Sequence, residues 1–403
     1  MRGRWLWLMV FALLAPLATA PTASARPKGL ALTAQLSTFA NRANHNLPAD
    51  AGVVVIDPAT GTTLHSKNAD EALLPASTMK LVTAAVALET YSANHRFETT
   101  VQFNSATHNL YLVGGGDPTL SRKRLKRLAA DVKAALTAGT KLNVYSDNTL
   151  FPNFKPPAGW VNGYVPGQVP PVTALELSGT QSNHPAKTAT QAFVAILRAI
   201  GLKASYKGSH SASGDRIART TSVPVPMIVK RMLKESDNDI AEHLFRLNAI
   251  GGGAQATWDG ASGYALDQLA ALGVDTTQLK LHDGSGLSRK DRLTALALGQ
   301  ILSAARSAEH ADLGQILDSH LLPVAGGKGT LLNRFRSPKS KCAVGQVEAK
   351  TGSLKDVISL AGYVRTDEGV AVFAIVVNHV KRGAGNLTRS RIDYVVAGLA
   401  SGC

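Results

Sequence analysis

The sequence predicts an α+β fold, with antiparallel strands gathered at two places and helices filling the interval between them. Near the start, the apolar run at residues 53–57 reads as a buried strand. Pro58, Thr60 and Gly61 supply turn chemistry, and residues 62–66 return as a second strand, which makes a hairpin. Near the end, residues 347–350, 357–365 and 370–380 read as three more strands, the last two joined by Thr366-Asp367-Glu368-Gly369. Between these stretches, apolar residues recur mostly at helical spacing.

In chain order, Arg2 and Arg4 precede an apolar run from Trp5 to Leu14 and small residues ending Ala23-Ser24-Ala25. These are the three parts of a secretory leader, with cleavage expected at Ala25-Arg26 and Ala20-Pro21 the second choice. A helix is expected over 30–43, then the hairpin, then Pro75-Ala76-Ser77-Thr78-Met79-Lys80, which opens a helix at or just before Ser77. From about Phe97 the pattern turns to short alternating elements. Gly114-Gly115-Gly116-Asp117-Pro118 forms a permissive turn, with a structural role expected for Asp117. It precedes an amphipathic helix over 120–136 carrying Arg122, Lys123, Arg124, Lys126 and Arg127 on its outer side.

Proline and glycine make 151–171 a loop, packed by Trp160 and Tyr164. Residues 188–201 read as helix, 206–220 as polar and either loose or strand-forming, and a boundary follows near Pro224 and Pro226. Helices are expected around Ile228 to Leu233 and over 240–247, 265–272 and 294–306, with a turn at His282-Asp283-Gly284-Ser285-Gly286. Gly326-Gly327-Lys328-Gly329-Thr330 lacks the spacing of a phosphate-binding loop. A terminal helix over 387–399 can pack on the last strands.

At 403 residues, 45% hydrophobic and 18% charged, the chain is globular and long enough for two domains. No apolar run beyond the leader is long enough to span a bilayer, so export to the periplasm, cell wall or medium is expected. The formal charge is +15, and Arg2 and Arg4 leave with the leader. A basic exported protein associates peripherally with anionic wall polymer. Nucleic acid is not expected as a partner, because no aromatic residues are interleaved with the basic runs. Cys342 and Cys403 are the only cysteines. Two cysteines exclude a cysteine-rich metal site, and in an oxidising compartment they are expected to pair.

Ser77 and Lys80 are three residues apart, which on a helix stacks both side chains on one face. Burial disfavours the charged form of a lysine, and a neutral lysine beside a hydroxyl is a general base beside a nucleophile. The plain alternative is a capping serine followed by a lysine that reaches to water. Two distant segments decide between these readings: Ser236-Asp237-Asn238 on a loop between helices, and Lys350-Thr351-Gly352 ending a strand. The combination S-x-x-K, S-D-N and K-T-G belongs to penicillin-binding proteins and class A β-lactamases. No G-x-S-x-G elbow and no H-E-x-x-H helix competes with it.

With Gly115 to Leu120, Asp283 to Arg289 and Gly329 to Arg334 in support, the chain resembles the D-alanyl-D-alanine carboxypeptidase/endopeptidase class of low-molecular-mass penicillin-binding proteins, class C. The resemblance implies a β-lactamase-like transpeptidase domain, an antiparallel sheet with helices on both faces plus an all-helical subdomain. Residues 26–96 and 224–403 would form it, and 97–223 an inserted smaller α/β domain, shorter than is usual in the class. Ser77 would be the nucleophile and Lys80 its base, with Ser236, Asn238 and Lys350 completing the catalytic set. Thr351, Gly352 and Ser353 would bind substrate, and Lys350 would help keep Lys80 neutral by adding a second positive charge nearby. The implied substrates are peptidoglycan stem peptides ending in D-Ala-D-Ala and β-lactam antibiotics, with no metal or cofactor. Asp147 and Asn153 are the candidates for contact with a substrate side-chain amine. The competing functions are a β-lactamase-like hydrolase and a non-catalytic, basic wall-binding protein.

Overall fold

The computed structural model describes residues 33–403, apart from 138, 307–309, 311–312, 315 and 317–319. The expected leader lies outside the described residues. Among those described, no helix is long and apolar enough to cross a membrane. Fourteen residues of helix α1, Thr33–Asn46, come first. The apolar run then forms strand β1, Gly52–Ile56, which turns into β2, Thr63–Lys67. Strands β8 (Val347–Leu354), β9 (Val357–Thr366) and β10 (Gly369–Val377) complete one five-stranded antiparallel sheet in the order β2-β1-β10-β9-β8. The N-terminal hairpin therefore pairs with the last strand of the chain, Val54 opposite Ala374.

Every residue of β1 is buried, because both faces of this sheet are covered. Side chains alternate across the pleat. Val53, Val55, Leu360, Phe373 and Ile375 face α1 and the terminal helix α9, Gly385–Val396, whose Ile392, Val395 and Val396 complete that core. Val54, Ile56, Tyr363, Val372 and Ala374 face a larger apolar cluster built from five helices: α2 (Lys80–Thr90), α5 (Val225–Glu235), α6 (Asn238–Gly251), α7 (Trp258–Ala271) and α8 (Ala295–Ala304). Helix α2 runs through the middle, buried without interruption from Lys80 to Leu88.

A second sheet occupies residues 98–221, with its own apolar cluster. Its strands are β3 (Glu98–Asn104), β4 (Asn109–Val113), β5 (Lys141–Asp147), β6 (Lys203–Ser209) and β7 (Asp215–Thr221), in the order β6-β5-β4-β3-β7. The parallel pairs β4/β5 and β5/β6 are connected through α3 (Arg122–Ala135) and α4 (Pro185–Ala199). The polar stretch at 206–220 is strand-forming: it supplies most of β6 and β7. Both strands lie at sheet edges, where alternate residues face water and no apolar run is needed. Arg124 departs from the expected outer face of α3. It folds back to an ion pair with Asp117, Nη1 to Oδ2 2.6 Å, while Asp117 Oδ1 accepts from the Thr119 amide and hydroxyl.

Two boundaries near the motifs differ from expectation. Ser77 lies on a 3-10 turn, Ala76–Met79, and the α-helix starts only at Lys80. Ala76 has φ +49°, in the left-handed region, so the helix cannot extend back past it. Strand β8 also does not stop at Lys350 but continues through Thr351, Gly352 and Ser353 to Leu354, paired with β9 throughout. Thr-Gly-Ser reads locally as turn chemistry, yet the continuing partner strand holds it extended.

Cys342 and Cys403 form a disulfide, with Cα atoms 5.6 Å apart and a sequence separation of 61. It ties the chain end to a 3-10 turn at Lys341–Ala343 just before β8. A loop of this size constrains the unfolded chain by on the order of 4 kcal/mol in the chain-entropy account. Replacing both cysteines with alanine is expected to lower the unfolding free energy by about 2–4 kcal/mol in urea titrations, and thiol titration of the unfolded, unreduced wild type is expected to find no free thiol.

Candidate active site

The amine of Lys80 is the centre of the site. Its side chain is fully buried at the start of α2, and Nζ has three partners. It lies 3.1 Å from Ser77 Oγ, 2.7 Å from Asn238 Oδ1 and 2.8 Å from the carbonyl oxygen of Ser285. The carbonyl and amide oxygens can only accept, so they take two N–H bonds. The third partner is a hydroxyl, which can either accept a proton or give one. A neutral amine is therefore fully satisfied here, with its lone pair turned to the Ser77 hydroxyl.

Burial pushes the Lys80 pKa down to about 8, against the charges of Glu242, Asp283 and Asp237, which raise it. The expected help from Lys350 in lowering that pKa is not seen: burial alone lowers it, and the charges acting on Lys80 are acidic. The influence runs the other way. Lys350 is also fully buried, and burial followed by the charge of Lys80 holds it well below the usual lysine range. Its Nζ donates to Ser236 Oγ at 2.9 Å and to the Thr351 carbonyl at 2.7 Å.

Each motif is placed by a distinct local device. Ser236 caps α5 in the left-handed conformation, φ 57° and ψ 38°, which reverses the chain between two helices. Asp237 caps α6 by accepting from the Ile240 amide, so Asn238 becomes the first helical residue and points to Lys80. Strand β8 passes directly beneath the Ser77 turn. A Cβ added to Gly352 would stand 2.0 Å from Ser359 Oγ, 2.9 Å from the Pro75 carbonyl oxygen and 3.1 Å from the Ser77 nitrogen. Thr351 Oγ1 bonds Thr330 Oγ1 at 2.9 Å, and the exposed Ser353 hydroxyl accepts from Arg389 Nη2 at 3.3 Å. The structure thus brings Ser77, Lys80, Ser236, Asn238, Lys350, Thr351, Gly352 and Ser353 to one place.

Beneath them lies a set of buried acids, of which the sequence reading named only Asp283, at the head of a supporting segment. Glu242 accepts from the backbone amides of Gly284 and Ser285, at 2.9 and 3.0 Å, and so fixes the carbonyl that Lys80 uses. Burial and then the charge of Asp283 raise its pKa to about 8. Asp283 itself accepts from Gly286, Ser288 and the Trp160 indole, each at 2.7 Å. Glu242 lies four residues after Asn238, one turn along the same helical face, and that spacing was available in the sequence. The role of Trp160 was not, since its loop position follows from no periodicity.

One turn of α6 also carries His243, fully buried. Its Nδ1 faces the Asp239 carbonyl oxygen and its Nε2 the Thr173 carbonyl oxygen, both at 2.9 Å. Both nitrogens face acceptors, which suits the protonated ring, with Asp239 Oδ1 at 3.4 Å as its counter-charge; Glu176 Oε2 lies at 3.5 Å, and burial holds that carboxyl well above the usual carboxylate range. Burial alone would lower the His243 pKa, but the hydrogen bonds and charge of Asp239 leave it raised. The three side chains are close enough to surround a cation, yet the ring nitrogens are committed to carbonyls.

The two candidates for contact with a substrate amine fare differently. Asp147, the last residue of β5, is engaged by the adjoining loops, accepting from the Thr149 amide and hydroxyl and from the Ala212 amide at 2.7 Å. Asn153 lines a cavity of about 440 Å³ with Phe154, Asn183, His184 and Tyr206. The close approach of Gly352 to Ser77 leads to one expectation: Gly352→Ala separates β8 from the Ser77 turn and reduces acylation by penicillin roughly 100-fold or more, with the far-ultraviolet circular dichroism spectrum unchanged.

Comparison with known proteins agrees with this geometry. The sequence profile of the D-Ala-D-Ala carboxypeptidase 3 (S13) family matches residues 32–178 and 161–399. Carboxypeptidase DacB of Mycolicibacterium smegmatis is 34% identical over 96% of this chain and 86% of its own length. The D-alanyl-D-alanine carboxypeptidase of Actinomadura sp. strain R39 is 32% identical over 81% and 77%. Among solved structures, penicillin-binding protein 4 of Haemophilus influenzae superposes with a TM-score of 0.74 at 21% identity, over 88% of this chain and 97% of that one. That likeness is one of fold and establishes the α+β penicillin-binding-protein architecture. Profile and relatives together cover nearly all the described residues, and the chain belongs to the D-Ala-D-Ala carboxypeptidase 3 (S13) family.

Proposed function

We propose that the chain is a serine-type D-alanyl-D-alanine carboxypeptidase and endopeptidase acting on peptidoglycan stem peptides, and that β-lactams acylate it at Ser77. The observation that carries this reading is the buried Lys80 amine, 3.1 Å from Ser77 Oγ, with its other two hydrogen bonds directed to fixed oxygens. Lys80 takes the proton as Ser77 Oγ bonds to the carbonyl carbon of the penultimate D-alanine. The resulting oxyanion sits between the backbone N–H groups of Ser77 and Ser353, donors each worth roughly 3 kcal/mol in such sites. The tetrahedral centre then collapses, and the leaving amine takes a proton through Ser236 and Lys350. Water hydrolyses the ester and restores Ser77.

Two features support the substrate assignment. Strand β8 is the outermost strand of its sheet, so an extended peptide can pair along it as one more strand. Thr351 and Ser353 lie on that strand, with Asn238 opposite to hold the substrate amide. We also propose that residues 26–96 and 224–403 form the catalytic domain around an inserted domain at 97–223. The leader at 1–25 then delivers the protein outside the cytoplasmic membrane, where its basic surface meets anionic wall polymer.

Mass spectrometry after incubation with benzylpenicillin tests the acyl-enzyme. Wild type is expected to gain one long-lived adduct and to release D-alanine from diacetyl-L-Lys-D-Ala-D-Ala, whereas Ser77→Ala does neither, its turnover falling by at least roughly 10⁴-fold. No adduct on wild type rejects the reading, and rapid release of opened antibiotic makes the protein a β-lactamase instead. Lys80→Arg keeps the charge but cannot deprotonate, and is expected to abolish acylation while the protein stays folded. Because Lys80 works as the free amine, with a pKa of about 8, the acylation rate rises about tenfold per pH unit below that value and levels off above it. A rate flat between pH 6 and 9 removes Lys80 as the base.

A further inference from the structure

We propose that Arg389 is a specificity residue of this site, whose guanidinium recognises the free carboxylate at the end of the substrate. The inference rests on the peptidase reading above and extends it to a residue outside the three motifs. Arg389 stands on α9, the helix that covers the far face of the sheet, and reaches the exposed side of β8. Its Nη2 lies 3.3 Å from Ser353 Oγ, and its Nη1 donates to Asn386 Oδ1 at 2.7 Å. Both partners are neutral. The nearby carboxylate, Asp393, is taken by Arg334, whose Nη2 reaches Oδ1 at 2.6 Å and whose Nε lies 3.0 Å from both oxygens. Among the described residues no acid pairs with Arg389. Its positive charge is left uncompensated beside the active-site strand, with the charge of Arg334 behind it.

The contact with Ser353 gives that charge a function. A serine hydroxyl has one proton and two lone pairs. With a lone pair occupied by Arg389 N–H, the Ser353 proton is left to point outward, away from the guanidinium. An anion that accepts it lies one hydrogen bond from an oxygen that is itself 3.3 Å from Nη2. The arginine therefore acts twice, by orienting the serine donor and by supplying the opposite charge. Thr351 Oγ1, the other hydroxyl on this strand, is engaged with Thr330. The discrimination between a terminal D-alanine and an uncharged group at the same position thus falls on Ser353 and Arg389.

The test compares charged and uncharged forms of the same ligand in wild type, Arg389→Gln and Arg389→Lys. Glutamine keeps an N–H donor for Ser353 but removes the charge. With diacetyl-L-Lys-D-Ala-D-Ala, R389Q is expected to raise KM roughly 10- to 100-fold, the range for losing a charge-assisted hydrogen bond, with kcat changed less than about threefold. With the C-terminal carboxamide of that peptide, wild type and R389Q should agree within about threefold, and R389K should recover most of the loss on the free acid. Benzylpenicillin and its methyl ester give the same comparison through acylation rates, so the assignment is tested even where peptide turnover is absent. Equal losses on charged and uncharged ligands make Arg389 a purely structural tie and overturn the proposal, as does an R389Q indistinguishable from wild type on the free acid. A wild type that reacts with none of the four ligands rejects the peptidase reading as well.

Discussion

The burial of one amine governs the structure around Ser77. An ammonium at the buried start of a helix such as α2 loses its hydration, and a protein tolerates this only if every proton on the nitrogen finds an acceptor or the charge is given up. Here the surroundings do both in part. Asn238 and the Ser285 carbonyl accept two protons, and burial lowers the pKa to about 8, so near pH 7 roughly a tenth of the molecules hold the free amine. The acids beneath the site keep that fraction from being larger. Glu242 and Asp283 pull the pKa of Lys80 up while fixing the 283–288 turn that supplies its acceptor. Reactivity and stability are thus set against each other by the same carboxylates.

The second buried lysine sharpens the arrangement. Two ammonium groups cannot both stay charged in one apolar pocket without large cost, and Lys350 is the one depressed further. A Lys350 held well below the usual lysine range and donating to Ser236 gives up a proton more readily than an exposed lysine, which suits it to passing one on. Positive charge for anion recognition is supplied from elsewhere, by a guanidinium that does not lose its proton. The site therefore separates two tasks that lysine and arginine perform differently.

The parts of this protein legible in its sequence are those written as runs. The β1 strand, the buried helix after Met79 and the C-terminal strands carry enough consecutive apolar residues to be read without a partner, and the three motifs name the residues around Lys80. What escaped reading depends on contacts distant along the chain. Whether Thr351 and Ser353 are turn or strand is decided by β9, not by their own propensity, and the start of α2 by the left-handed Ala76 against Gly286. Strand β5 is too polar to announce itself, and the edge strands of the second sheet left the choice between loop and strand open. Arg124 read as one more surface charge until Asp117 turned it inward. Burial as the cause of Lys80's depressed pKa was legible in its apolar helix, but the acids that oppose it were not, because they come from α6 and the 283 turn.

The pairing of β1 with β10 joins residues more than 300 positions apart and sets an order of assembly. Contacts within the second sheet close over much shorter stretches of chain, and loop closure costs less there. That sheet needs only contacts within residues 98–221, whereas the N-terminal hairpin and the Ser77 turn find their partners only once the last strands are present. Until then β1 presents an open, wholly apolar edge, the kind of surface that recruits other chains. A chain synthesised from its N-terminus carries this unpaired strand longest. The same topology that completes the site leaves an incomplete chain with an unpaired apolar strand, and truncation at the C-terminus removes the partner rather than an appendage.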